Sequence, residues 1–87
     1  MELSQYLSET LSHATFENLY EKLGISKTRC TLMLKRPWTM TLSEVKSLAE
    51  VCKMHPVDLI LRFHAGYDKV TTKQMDELKE NYGEPVS

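Results

Sequence analysis

Apolar residues recur along this chain at spacings of three and four. Nowhere do they alternate with polar residues over the length of a strand. Leu3, Tyr6, Leu7 and Leu11 predict a first helix from about Leu3 to Ser12. Thr15 suits the cap of a second, with Phe16, Leu19, Tyr20 and Leu23 on one side and Gly24 as terminator. Ser26 suits the cap of a third helix, Lys27 to Lys35, whose inward residues are Cys30, Met33 and Leu34. Pro37 stops it and pushes Arg36 toward extended backbone. Thr41-Leu42-Ser43-Glu44 reads as a capping box that opens a fourth helix, burying Leu42, Val45, Leu48, Ala49 and Cys52. Pro56 fits the first turn of a fifth, which carries Leu59, Ile60 and Phe63 and is ended by Gly66. A second capping box, Thr71-Thr72-Lys73-Gln74, opens a last helix to about Tyr82.

The expected fold is therefore all-α: a compact five-helix domain over residues 1–67, then a C-terminal helix and tail over residues 68–87. The last helix has a thin apolar stripe of Met75, Leu78 and Tyr82. It either packs back on the first helix or pairs with its copy in a homodimer.

Composition adds boundaries to this picture. The 87 residues are 41% hydrophobic and 26% charged, ordinary for a folded domain and unlike a disordered chain. No apolar run approaches the ~20 residues of a membrane span. The opening MELSQYLSETLSH lacks the basic start of a secretory signal. Cys30 and Cys52 fall on apolar helical faces, so both are expected as reduced thiols in a cytoplasmic protein.

Charge is unevenly placed. From Glu21 to Lys53 there are seven cations and three anions, a net of +4, although the whole chain is −1. The densest part is GISKTRCTLMLKRPW, Gly24 to Trp38. A local positive face matters more than net charge when the partner is a polyanion.

Two short helices joined by Gly24-Ile25-Ser26 have the organisation of a helix-turn-helix. The stretch TFENLYEKLGISKTRCTLML resembles the lambda-repressor-like (Cro/repressor type) helix-turn-helix family at Thr15, Leu19, Leu23-Gly24-Ile25-Ser26 and Cys30. TLSEVKSLAEVCKMHPVDLI is similar to that family's fourth helix and the start of its fifth, through Thr41, Leu42, Val45, Leu48, Ala49, Met54, Pro56 and Leu59. The resemblance covers roughly Leu3 to Tyr67. Three positions depart from it: Phe16 stands where Gln is common, Tyr20 where Ala is preferred, and Arg36 where Gly often ends the helix.

The resemblance implies a sequence-specific transcriptional regulator, of phage-repressor or small bacterial type, that binds double-stranded DNA as a dimer. The helix from Lys27 to Lys35 would lie in the major groove. Lys27, Thr28, Arg29 and Thr31 would contact bases, with Arg29 able to offer two donors to guanine. Lys22, Lys35 and Arg36 would contact the DNA backbone. Trp38 has two readings, a contact to the sugar-phosphate backbone or a cap on the core. Leu32 is open between a core position and a contact to a base methyl. The dimer would pair through Met75, Leu78 and Tyr82. The alternative is a protein-interaction module on the same fold, with vestigial DNA affinity.

Other chemistry finds little support. Cys52-x-x-His55 has a zinc-like spacing and His64 is a conceivable third ligand, but Cys52 belongs to a core face, so no metal is expected. His55 fits better as the cap before Pro56. No nucleophile triad, phosphate-binding glycine loop or carboxylate pair stands out, so neither catalysis nor a cofactor nor a small-molecule substrate is expected.

Overall fold

Capping chemistry sets most of the element boundaries. The structure is a computed structural model and describes residues 2–83. The described residues form seven α-helices: α1 (Leu3–Thr10), α2 (His13–Glu17), α3 (Leu19–Leu23), α4 (Lys27–Lys35), α5 (Leu42–Cys52), α6 (Pro56–Phe63) and α7 (Thr72–Tyr82). A 3₁₀ turn, Pro37–Thr39, joins α4 to α5. No strand occurs among the described residues. The last four residues of the 68–87 segment lie outside them.

The expected second helix is two. Ser12, not Thr15, is the cap, its Oγ accepting from the Thr15 N–H at 3.2 Å. That cap needs extended backbone at Ser12, which ends α1 at Thr10 instead of running it to Ser12. Asn18 then breaks the helix at φ −106°, ψ 23°. Its side-chain amide donates to the Ala14 carbonyl at 3.0 Å, alongside its own backbone N–H at 3.1 Å.

The two predicted capping boxes are both complete, at Thr41/Glu44 and at Thr71/Gln74. His55 caps α6 as expected, its Nδ1 accepting from the Val57 N–H at 3.1 Å. The end of α6 differs from the expectation. His64, in the left-handed region at φ 59°, terminates it two residues before Gly66.

Gly66 has another task. Its N–H donates to the Pro37 carbonyl at 2.8 Å, pinning the segment after α6 onto the 3₁₀ turn. A Cβ there would stand 2.8 Å from Val70 Cγ2 and 3.2 Å from Val45 Cγ2, so close approach as well as φ +73° requires glycine.

One core gathers all the long elements. Leu3 and Leu7 of α1, Leu19 of α3, Met33 of α4, Val45 and Leu48 of α5, Leu59 and Ile60 of α6 and Leu78 of α7 are all buried. Met40, in the loop before α5, is fully buried as well. The radius of gyration is 12.1 Å, the value expected of a compact chain this long.

α7 packs mainly on α6, and this bears on its stripe. Leu78 is buried in the chain's own core and Met75 packs against that core. Of the three residues considered for a dimer contact, Tyr82 alone is exposed, with its ring edge-on to His55 at 5.9 Å. Leu78 is thus a core residue of this chain and is not free to meet a second one.

Candidate nucleic-acid interface

The positive stretch folds around a closed turn. Gly24 sits in the left-handed region at φ 70°, which lets the Ile25 N–H reach the Tyr20 carbonyl at 3.0 Å and its own N–H reach Glu21 at 3.2 Å. This paired closure terminates α3 and satisfies its last carbonyls. Two residues later Ser26 Oγ accepts from the Arg29 N–H at 3.0 Å and opens α4. Three residues thus stop one helix and start the next, and α3 and α4 pack together.

α4 has two chemically distinct sides. Cys30 and Met33 are buried, with Leu34 packed against the core beside them. Lys27, Thr28, Thr31, Leu32 and Lys35 are exposed. Their spacing of one, three, one and three places them on a single outward stripe. Leu32, open between core and surface in the sequence, lies on the outside, 42% exposed. The stripe contains no acidic residue.

Thr31 Oγ donates to the Lys27 carbonyl at 3.1 Å, which leaves its hydroxyl oxygen as an acceptor for a further partner. Thr28 has no side-chain hydrogen bond among the described residues.

Arg29 departs from its expected place among the base contacts. It is the part-buried member of α4's N-terminal turn and faces α5. Its Nε donates to Glu44 Oε2 at 2.8 Å, and its Nη2 to Glu44 Oε1 at 2.7 Å and to the Thr39 carbonyl at 3.0 Å. The hydrogen bonds from Arg29, opposed by partial burial, hold the Glu44 carboxyl below its usual range. The same pairing raises Arg29 further above its ordinary value. The donors that the sequence offered to guanine are therefore engaged within the chain. Sequence alone hid this pairing, because the partner lies fifteen residues away across a loop.

The flanking cations remain available. Among the described residues the ion pairs are Arg29–Glu44 and an exposed His13–Glu17 contact, so Lys22, Lys27, Lys35 and Arg36 are unpaired there. All four are exposed. Lys22 lies at the end of α3, Lys35 closes α4, and Arg36 caps it at φ −128°, ψ 71°, short of the extended backbone expected before Pro37. Trp38 is 43% exposed, so it does not cap the core as a buried side chain, and its carbonyl accepts from the Asp68 N–H at 3.0 Å, tying its backbone to the segment after α6.

Phe16 and Tyr20, two of the departures from the family pattern, are half-buried and pack against the core. Neither belongs to the outward stripe of α4.

Cys52 packs against the core, and burial pushes its thiol up to about 11. The His55 ring bonds Val57 through Nδ1 and the Gly83 carbonyl through Nε2 at 2.6 Å. Among the described residues no group of three or more His, Cys, Asp or Glu is placed to hold a metal ion. No helix there is long and apolar enough to cross a membrane. Comparisons with protein-family models, with characterised proteins and with solved structures find no match to this chain.

Proposed function

We propose that this chain is a sequence-specific regulator that binds duplex DNA with a helix-turn-helix, α2–α3 being its first helix and α4 its reading helix. The observation that carries this reading is the outward stripe of α4: Lys27, Thr28, Thr31, Leu32 and Lys35, exposed together and free of acidic residues. A helix of this width fits the major groove, about 12 Å across. Lys27 offers a donor to guanine or phosphate, Thr28 and Thr31 offer small polar contacts, and Leu32 offers a methyl-sized apolar contact to thymine. Lys22, Lys35 and Arg36 supply phosphate neutralisation at the flanks, with Trp38 beside them.

Arg29 takes a positioning role in this reading. Through Glu44 it fixes the roll of α4, and with it which residues point outward.

The test is selection of preferred sites from a random duplex library. Thr28→Ala should change the base chosen at one position, at a cost of about 1–3 kcal/mol there. Lys35→Ala and Arg36→Ala should weaken all sites alike. Uniform loss in all three variants contradicts insertion of α4 as described. No duplex binding at low salt points instead to a protein-interaction module.

A further inference from the structure

We propose that the cleft between the start of α1, the end of α4 and the end of α6 binds a small planar aromatic anion. Its volume is about 520 Å³. That lies within the roughly 300–1,000 Å³ typical of small-ligand sites. Leu3, Pro37 and Phe63 give it an apolar base, and the indole of Trp38 forms a wall. Trp38 is the chain's one tryptophan and keeps 43% of its surface exposed here. An exposed indole face beside an apolar floor suits a flat ring.

Charge selects the rest of the ligand. Lys35 and Arg62 both line the cleft, and among the described residues neither is in an ion pair. Arg62 is held by aromatic faces in place of a carboxylate. Its guanidinium carbon lies 5.3 Å from the ring centre of Tyr6 and 5.5 Å from that of Phe63. Its donors are thus positioned yet open to an incoming carboxylate, sulfonate or phosphate. Glu2 is the one carboxylate among the lining residues, against the two cationic side chains. A neutral ring would leave both cations unused, and an aliphatic anion would leave Trp38 unused.

Binding here does not depend on the proposed function, but one consequence rests on it. Lys35 and Trp38 also belong to the proposed DNA-backbone contacts, so an occupied cleft competes with the duplex and makes the ligand an effector.

The experiment titrates the ¹⁵N-labelled full chain with 2-naphthoate and, separately, with neutral 2-naphthamide, following backbone and indole N–H resonances. Saturable shifts centred on Lys35, Trp38 and Phe63 are expected with naphthoate. Naphthamide should bind roughly tenfold more weakly, the worth of one charge-assisted hydrogen bond. Arg62→Gln should erase that preference. Because Arg62 also packs on Tyr6 and Phe63, Lys35→Gln serves as a second variant at an exposed site and should reduce the preference without changing the melting temperature. Equal response to the two ligands, shifts centred elsewhere, or no saturation overturns the proposal. A parallel duplex titration with and without naphthoate separates the two readings. Loss of duplex affinity on filling the cleft supports the effector role, and an unchanged affinity overturns it. If no duplex is bound at all, the DNA reading fails while the naphthoate titration still decides the cleft.

Discussion

Arg29 on α4 and Glu44 on α5 form a two-pronged ion pair, Nε to Oε2 at 2.8 Å and Nη2 to Oε1 at 2.7 Å. The same Oε1 accepts the Thr41 N–H at 2.9 Å, so one carboxylate both caps α5 and holds α4. The Glu44 side chain keeps only 11% of its surface exposed and that of Arg29 29%. The pair is sheltered enough to fix geometry without the full desolvation cost of deep burial.

Arg29→Ala should therefore act on stability first. It removes both prongs and the bond to Thr39, and leaves Glu44 partly sheltered without its partner. A loss of about 1–3 kcal/mol is expected, read by thermal or urea unfolding. An unaltered melting temperature would place Arg29 among the free surface cations instead.

Acid should reveal the same contact. The folded state holds the Glu44 carboxyl below the ordinary glutamate value of 4.5, mainly through Arg29. The unfolded chain then binds more protons in that window, so the pair's contribution is complete above about pH 4.5. It is lost as pH falls through the lowered folded-state value. Glu44→Gln retains the capping box, as Gln74 does for α7, but cannot titrate. The variant should be less stable than the parent at pH 7, with the gap closing below about pH 4.5. A gap that stays constant down to pH 3 would show that the pair contributes no pH-dependent stability.

Gly66→Ala tests the pin between the end of α6 and the 3₁₀ turn. The new methyl must displace Val70 and Val45 and also occupy φ +73°. A cost of about 2–4 kcal/mol is expected from overpacking and left-handed strain together. Gly24→Ala is the matched control. Its φ is +70° but nothing lies within 4 Å of the added carbon, so it should cost only about 1–2 kcal/mol. Equal effects of the two substitutions would remove the case for close approach at Gly66.

Leu78→Ala asks whether α7 belongs to the domain. Leu78 is 1% exposed. Truncating so buried a leucine should cost about 2–5 kcal/mol. Removal of everything after Val70 should abolish the cooperative melt. A truncated chain that melts like the parent would make α7 an appendage, with its stripe open to a second chain.

These contacts mark what was readable in the residues and what was not. Capping boxes are local, with side chain and amide three residues apart. Thr41–Glu44, Thr71–Gln74 and the ends of α4 and α7 could be read directly. The inward and outward sides of α4 followed from helical period, apart from Leu32, which was open, and Arg29, which turns to α5 instead of outward. Asn18 was not legible as a break, because its competing bond to Ala14 is one of several geometries asparagine permits. Gly66 looked like a helix terminator because glycine has that meaning locally, whereas its neighbours Val45 and Pro37 come from distant parts of the chain. The role of Arg29 was hidden for the same reason, as was the meeting of Lys35, Trp38 and Arg62 around one cleft.

In the proposed function the α4 face neutralises and reads duplex DNA. The most direct measurement is the affinity of the full chain for duplex DNA across a series of salt concentrations. If Lys22, Lys27, Lys35 and Arg36 each meet a phosphate, log affinity should fall against log salt with a slope of about −3 to −4 per monomer. Lys35→Ala should make that slope shallower by about 1. A slope near zero, or no binding at low salt, would contradict the account.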